Sequence, residues 1–232
     1  RVLPSSSFIL SYMEIKSLSH TSPDELFEAF EQAFADYEVQ LNKAEHLTML
    51  KRRGFNPKAS FGAFDRDKLV SFTCNGIGNF YGVRAAYDTG TGTLKDYQGR
   101  GLATQVFEYS IPYLRELGIE EYLLEVLQHN TGALSVYRKL GFEITREFYY
   151  FKQKNEQVDR AVKALDCCYT LKSIKISEYS SIHKFWDFEP SWQNSFEAIN
   201  NTLKDFICLG IFLESKLCLL YTSPSPRDGL LS

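Results

Sequence analysis

Asp96 to Gln105 reads DYQGRGLATQ, and the rest of the chain is best understood from this stretch. Two glycines bracket an arginine, an alanine follows, and a helical apolar periodicity starts at once. Missing side chains let a ligand come close to the backbone, and the first turn of a helix offers N–H groups without an intrahelical partner. The stretch therefore reads as a strand-to-helix turn able to hold an anion. Upstream, Val83 to Leu94 predicts a strand. Downstream, Ala103, Val106, Phe107, Ser110, Leu114 and Leu117 share one helical face, closed by Gly118. Pro112 falls inside that helix, where it frees the Glu108 carbonyl and bends the axis.

Toward the N-terminus, residues 14–18 predict a strand and TSPDELFEAFEQAF a helix, with Ser22 as cap, Pro23 in the first turn, and Asp24 and Glu25 matched to the helix dipole. Its apolar face is Leu26, Phe27, Phe30 and Phe34. A second helix over about 43–53 ends at Gly54. SFGAF and LVSFTCNGI flank the charged turn Asp65 to Lys68 and predict an antiparallel hairpin. Toward the C-terminus, EYLLEVL predicts a buried strand, Asn130 to Leu140 a short helix closed by Gly141, and FEITREFYYF a last alternating strand. This order makes a mixed α/β sheet flanked by helices.

After a polar linker around Gln153 to Asp159 the order begins again. YTLKSIKI reads as strand, EYSSIHKFW and the segment through SFEAIN as helices, and FICLGIF as strand, with WDFEPSWQNS as a loop on the acceptor side. No counterpart of the glycine turn follows. Met13 reads as the start, with residues 1–12 as upstream translation. The tail CLLYTSPSPRDGLLS has loop composition, and Cys218 to Asp228 resembles the translation of a transposon-based sequencing adapter, so the natural sequence is expected to end near Leu217. The expected domains are 13–152, a linker at 153–168, an incomplete second copy at 169–217 and a disordered tail at 218–232.

Hydrophobic residues make up 44% of the chain, charged residues 24% and aromatic residues 15%, a balance that supplies a substantial core. The net charge of −3 provides no overall positive field for nucleic acid or anionic lipid. Neither is expected as a partner, and any anion must be bound locally. The 5 cysteines form no C-x-x-C pair and no His cluster accompanies them, so no metal site is expected and a cytoplasmic setting fits. No apolar run reaches membrane-spanning length.

Three anions suit a glycine-rich turn of this kind. A nucleoside triphosphate calls for G-x-x-x-x-G-K-[ST], which does not occur. A dinucleotide calls for G-x-G-x-x-G after the first strand of a βαβ unit, and here only Gly99 and Gly101 are present, after the fourth strand. The third is the pyrophosphate of coenzyme A, cradled by consecutive amides of the loop and first helical turn.

Gln98-Gly99-Arg100-Gly101-Leu102-Ala103 resembles the R/Q-x-x-G-x-G/A segment of the GCN5-related N-acetyltransferase (GNAT) superfamily. LEVLQHNTGALSVYRKLGF, Leu124 to Phe142, is similar to the strand, asparagine, helix tyrosine and Gly-Phe that follow it in that family. The resemblance covers about residues 13–152 and is nearest to the ribosomal-protein N-terminal acetyltransferase branch. It implies an α/β (α+β), mostly antiparallel sheet flanked by helices, acetyl-coenzyme A as cofactor, and transfer of acetyl to an amine by direct attack.

The resemblance also implies roles. Gln98 to Ala103 and Asn130 hold the cofactor, and a backbone N–H at Thr93 or Leu94 faces the thioester oxygen. GTGTLKD departs from the family's apolar strand end, and Gly90 and Gly92 leave the local strand geometry open. Attack requires a neutral amine, whereas an alkyl amine has a pKa of about 10.4, so a base is needed. Glu125 is the first candidate and Asp88 the second. Tyrosine stays protonated at neutral pH, and Tyr137 is the candidate acid for the leaving thiolate and a cofactor contact.

Each residue also has a plainer reading. Gly99 and Gly101 make a tight turn, Asn130 caps a helix, Tyr137 is a core aromatic, and Glu125 points along a solvated strand side. His129 reads as a loop residue. Two rival functions remain: a catalytically degenerate acyl-coenzyme A-binding regulatory domain, and a nucleotide-binding module. The acceptor amine and the oligomeric state are left open.

Overall fold

The computed structural model describes residues 13–37, 40–149, 169–175, 182–185 and 188–224. The chain divides into two compact units between Val136 and Tyr137. Among the described residues no helix is long and apolar enough to cross a membrane.

In the first unit β1 (Met13–Ser17), β2 (Phe61–Asp65), β3 (Lys68–Phe80), β4 (Val83–Thr93) and β5 (Glu121–Leu123) form one sheet in the order β1-β2-β3-β4-β5. Neighbours are antiparallel except β4 and β5, which run parallel. Helix α1 (Pro23–Ala33) starts as expected at Ser22, whose hydroxyl accepts from the Glu25 N–H at 3.2 Å while Glu25 accepts from the Ser22 N–H at 2.7 Å. Two of the helix's orphan donors are thereby satisfied. The Ser22 bonds also hold the Glu25 carboxyl below its ordinary pKa. Asn42 and Glu45 repeat this capping box at α2 (Lys43–Arg52). Helix α3 (Leu102–Glu116) runs through Pro112. Phe61, Val70, Phe72, Leu102 and Val106 are central to the core.

The α3 face differs from expectation at its ends. Leu102 is buried, whereas Leu117 lies beyond the last turn and is 42% exposed. Gly118, with φ +72°, ends the helix. The doubt over Gly90 and Gly92 is resolved by the ladder, which continues through both to Thr93. These glycines make room for α1. A Cβ on Gly92 would lie 2.9 Å from that of Ala33, and one on Gly90 would lie 3.4 Å from the Phe30 ring.

Two strand expectations are corrected. EYLLEVL is strand only at Glu121–Leu123, and this edge is half-buried at most. FEITREFYYF forms no strand as far as Tyr149; its last residues lie outside the described ones. Alternation gives a segment an apolar face, but a strand exists only where another backbone takes its N–H and C=O groups. The three residues of β5 provide little backbone for such a partner. The short helix is α4 (Thr131–Lys139), followed by Gly141 at φ +87°.

The second unit contains β6 (Tyr169–Ser173), α5 (Phe196–Asn201), β7 (Phe206–Leu213) and β8 (Lys216–Pro224), with sheet order β6-β7-β8, antiparallel throughout. Of EYSSIHKFW only Ile182–Phe185 is described, as a 3₁₀ turn. The loop expected from Cys218 onward is corrected as far as Pro224, which is strand; the remaining tail lies outside the described residues.

Internally the two units share details. The β2–β3 hairpin closes at Asp65↔Lys68 with Arg66 at φ +59° and skips Val70 between Phe64↔Leu69 and Ala63↔Ser71. The β7–β8 hairpin closes at Leu213↔Lys216 with Glu214 at φ +55° and skips Cys218 between Phe212↔Leu217 and Ile211↔Leu219. Leu18 donates its N–H to Ser60 C=O at 2.9 Å, as Ile174 does to Cys208 C=O at 3.0 Å. A Cβ on Gly62 would meet Leu69 and Leu18; one on Gly210 would meet Leu217 and Ile174.

Candidate functional site

The glycine turn forms as the sequence implies. Gly99 and Gly101 both have φ +74°, a left-handed conformation that glycine adopts without penalty. Gly101 is the N-cap of α3 and, unlike Ser22, Asn42 and Ser195 at their helices, supplies no side-chain cap. Nothing lies within 4 Å of a Cβ built on Gly99, and only the Gln105 amide, at 3.7 Å, approaches one on Gly101. The backbone at Gly99 and Gly101 is thus left uncrowded just ahead of the first-turn amides of α3, which fits the approach of a phosphate group.

The residues around the turn hold it in shape. Arg100 folds back, donating to the Asp96 C=O at 2.7 Å with its guanidinium 4.9 Å from the Tyr97 ring centre. The Tyr97 hydroxyl donates to Asp65 at 2.8 Å, and the Gln98 amide donates to the Thr93 C=O at 3.1 Å. Leu102 anchors the turn in the core and Ala103 is half-buried.

β5 pairs with β4 only from Ala85↔Glu121 to Tyr87↔Leu123. Beyond Tyr87, among the described residues, β4 has no strand beside it on that side. The two candidate oxyanion donors then separate. Leu94 gives its N–H to the Val70 C=O at 2.9 Å and is committed to the sheet. Backbone groups of successive strand residues point to opposite sides, so the Thr93 N–H faces the side that β5 has left, as its Gln98-bonded C=O does.

The carboxylates also separate. Register shifts between Cys74↔Gly90 and Asn75↔Asp88, leaving Thr89 as the extra residue of a β-bulge. Asp88 closes this bulge, accepting from the Gly90 N–H at 2.9 Å and the Thr91 hydroxyl at 2.8 Å. Glu125 is not the buried strand carboxylate that was expected. It lies past the end of β5 and is exposed, because the ladder stops at Leu123. Its carboxylate is hydrogen-bonded to the Tyr87 hydroxyl. Tyr87 is 2% exposed, and burial above all holds its phenol far above the ordinary tyrosine range, with Arg53 opposing and Glu125 and Asp88 adding. Buried Cys74 is likewise pushed up, by burial and then by Asp88.

Asn130 caps α4, its Oδ1 accepting from the Ala133 N–H at 3.1 Å, and its Nδ2 donates to the Tyr37 hydroxyl at 2.9 Å. Tyr137 is half-buried further along α4, its ring edge-on to Phe142 at 5.5 Å and its C=O accepting from the Phe142 N–H. His129 is an exposed loop residue, as expected. Among the described residues no group of His, Cys, Asp and Glu is placed to hold a metal.

Sequence reasoning missed Tyr37, Arg53 and Tyr87. The one available signal was Gly76 inside β3, since glycine in a strand marks a close approach. A Cβ there would lie 2.0 Å from the Arg53 carbonyl oxygen, and Gly76 pairs with Tyr87.

A sheet that splays after Tyr87, beside a helix whose first turn is left open by two left-handed glycines, defines a domain of the acyltransferase type. The sequence profile of the acetyltransferase (GNAT) family matches residues 23–142, and the chain belongs to that family. N-alpha-acetyltransferase MAK3 of Arabidopsis thaliana is 32% identical over 95 residues, 41% of this chain and 50% of that protein. Probable N-acetyltransferase san of Drosophila melanogaster is 34% identical over 91 residues, 38% of this chain and 50% of that protein. The chain thus spans about half the length of these curated relatives. A crystal structure of an aminoglycoside acetyltransferase from an uncultured soil metagenomic sample, in complex with trehalose, shares the fold with TM-score 0.51. It is 21% identical and covers 63% of this chain and 99% of that one.

Proposed function

We propose that residues 13–152, the first of the expected domains, form an acetyl-coenzyme A-dependent N-acetyltransferase acting on a primary amine. The observation that carries this is the start of α3, which has no side-chain cap and follows two left-handed glycines whose backbone is left uncrowded. Bound there, acetyl-coenzyme A supplies an activated acetyl thioester. Residues 98–103 hold the diphosphate through backbone N–H groups, and Asn130 orders the start of α4. The Thr93 N–H is the donor for charge developing on the acyl oxygen, which preorganised amides stabilise most effectively. Glu125 takes the proton that the acceptor amine must lose, and Tyr137 holds one for the departing sulfur.

The acceptor is a protein N-terminus, a lysine side chain or a small-molecule amine. The names of the Arabidopsis and Drosophila relatives favour N-terminal acetylation. Cytoplasmic residence fits free thiols such as Cys74 and Cys208. The shared hairpin registers, bulges and glycine contacts support reading residues 169–224 as a second copy of the N-terminal part of the fold.

Thermal melts with acetyl-coenzyme A and with ATP, followed by a thiol-release assay over peptides, lysine, polyamines and aminoglycosides, test this reading. A stabilising shift with acetyl-coenzyme A alone and thiol release with one amine class support it. Binding without release on any amine favours the degenerate regulatory domain, and stabilisation by ATP alone favours a nucleotide-binding module.

A further inference from the structure

Ser71 acts on the same peptide group that carries the Thr93 N–H. It is fully buried on β3, directly opposite Thr93 in the β3–β4 register. Its hydroxyl donates to the Gly92 C=O at 3.1 Å and lies 2.8 Å from the Thr93 hydroxyl. A serine hydroxyl has a single proton, so the proton of the second bond comes from Thr93. The Leu94 N–H turns toward β3, onto the Val70 C=O, and by alternation the N–H and C=O of Gly92 turn the same way. Gly92 and Thr93 are joined by a trans peptide bond, whose N–H points opposite to its C=O. The C=O that takes the Ser71 proton and the N–H that faces the side left by β5 are therefore the two ends of one dipole.

A hydrogen bond to a peptide carbonyl draws electron density from the attached nitrogen and makes its N–H a stronger donor, by about 10–30% per bond. The next peptide group is held as well, by the Gln98 amide on the Thr93 C=O at 3.1 Å and by the Leu94 N–H on Val70. An oxyanion donor is effective because it is in place before charge develops, and here the peptide groups on both sides of the Thr93 Cα are fixed. We propose that Ser71 is a positioning residue whose buried hydroxyl polarises the Gly92–Thr93 peptide and holds its N–H toward the acyl oxygen, with the Thr93 hydroxyl directing the Ser71 proton onto Gly92. This deepens the N-acetyltransferase reading and rests on the Thr93 N–H as its oxyanion donor.

The experiment compares the full chain with S71A, which removes the hydroxyl, and S71T, which keeps it, by steady-state kinetics on the best acceptor amine across pH and by amide NMR. S71A should lower kcat about threefold to tenfold, well short of the roughly hundredfold or greater loss that follows removal of an oxyanion donor itself. KM for acetyl-coenzyme A and the midpoints of the kcat/KM pH profile should stay nearly unchanged, because no titrating group is touched, and S71T should recover most of the turnover. In an HNCO spectrum a single cross-peak joins the Thr93 N–H to the Gly92 carbonyl carbon. In S71A that carbon and that amide proton should both move upfield, in S71T they should return toward wild type, and the Leu94 N–H peak should hold its place throughout. An unmoved Thr93 peak in S71A overturns the proposal, as does wild-type turnover in S71A, or S71T as slow as S71A with its Thr93 peak restored. If wild type releases no thiol with any amine while the Thr93 peak still moves in S71A, it is the N-acetyltransferase reading that fails and not the Ser71–Gly92 bond.

Discussion

The Asn130 side-chain amide donates to the Tyr37 hydroxyl at 2.9 Å, joining the turn after α1 to the N-cap of α4. Asn130 uses both ends of its amide, since Oδ1 caps the Ala133 N–H. Asn130→Ala is expected to cost about 1 kcal/mol, the usual worth of an N-cap, and Asn130→Asp much less because the cap acceptor survives. Urea unfolding of both variants measures this; equal losses would show that the cap contributes nothing.

Gly101→Ala should weaken acetyl-coenzyme A binding modestly, because a side chain at φ +74° strains the turn by about 1–2 kcal/mol. Gly101→Glu adds a negative charge in the anion approach and should weaken binding by a further tenfold or more. Calorimetric titration with acetyl-coenzyme A decides it. Wild-type affinity in the glutamate variant would refute the diphosphate cradle.

Tyr137→Phe keeps the ring against Phe142 and removes only the hydroxyl. If that hydroxyl is the acid, kcat should fall about a hundredfold or more, within the span of general acid catalysis, with acetyl-coenzyme A affinity unchanged. Unchanged turnover removes Tyr137 from this role.

His46 is fully buried against Phe30, with ring centres 4.3 Å apart, and neither ring nitrogen has a hydrogen-bond partner among the described residues. Burial first, and then Arg53, lower its pKa from 6.5 to about 4. The unfolded chain takes up this proton as pH falls through about 6.5, and the folded chain only near 4. Stability from the neutral ring is therefore complete above pH 6.5 and lost between there and pH 4, by a few kcal/mol at most. His46→Leu should flatten the urea-unfolding stability between pH 7.5 and 5. A variant that loses as much over that interval as wild type would show that His46 is not responsible.

Gly76→Ala should destabilise the first unit by about 1–3 kcal/mol, because the new methyl meets the Arg53 backbone and not a movable side-chain tip. Gly90→Ala, whose methyl would meet the Phe30 ring at 3.4 Å, should cost clearly less. Parallel denaturation curves compare them, and equal midpoints would contradict the packing at Gly76.

The elements legible in the sequence are those whose cause is local. Ser22, Pro23 and Glu25 contain their own capping box, Asp65 to Lys68 its own turn, and Gly99 and Gly101 their own backbone conformation. A few neighbouring residues determine each of these, and the family pattern follows the same short segments. What only the tertiary structure decided depends on a partner distant in sequence. β5 stops at Leu123 because strand length is set by the backbone alongside. Leu94 gives up its N–H because Val70 faces it, and Asp88 is drawn to the bulge between Cys74 and Asn75. Glu125 was visible as a carboxylate at the family spacing, but its exposed place past the end of β5 follows from where the β4–β5 ladder stops.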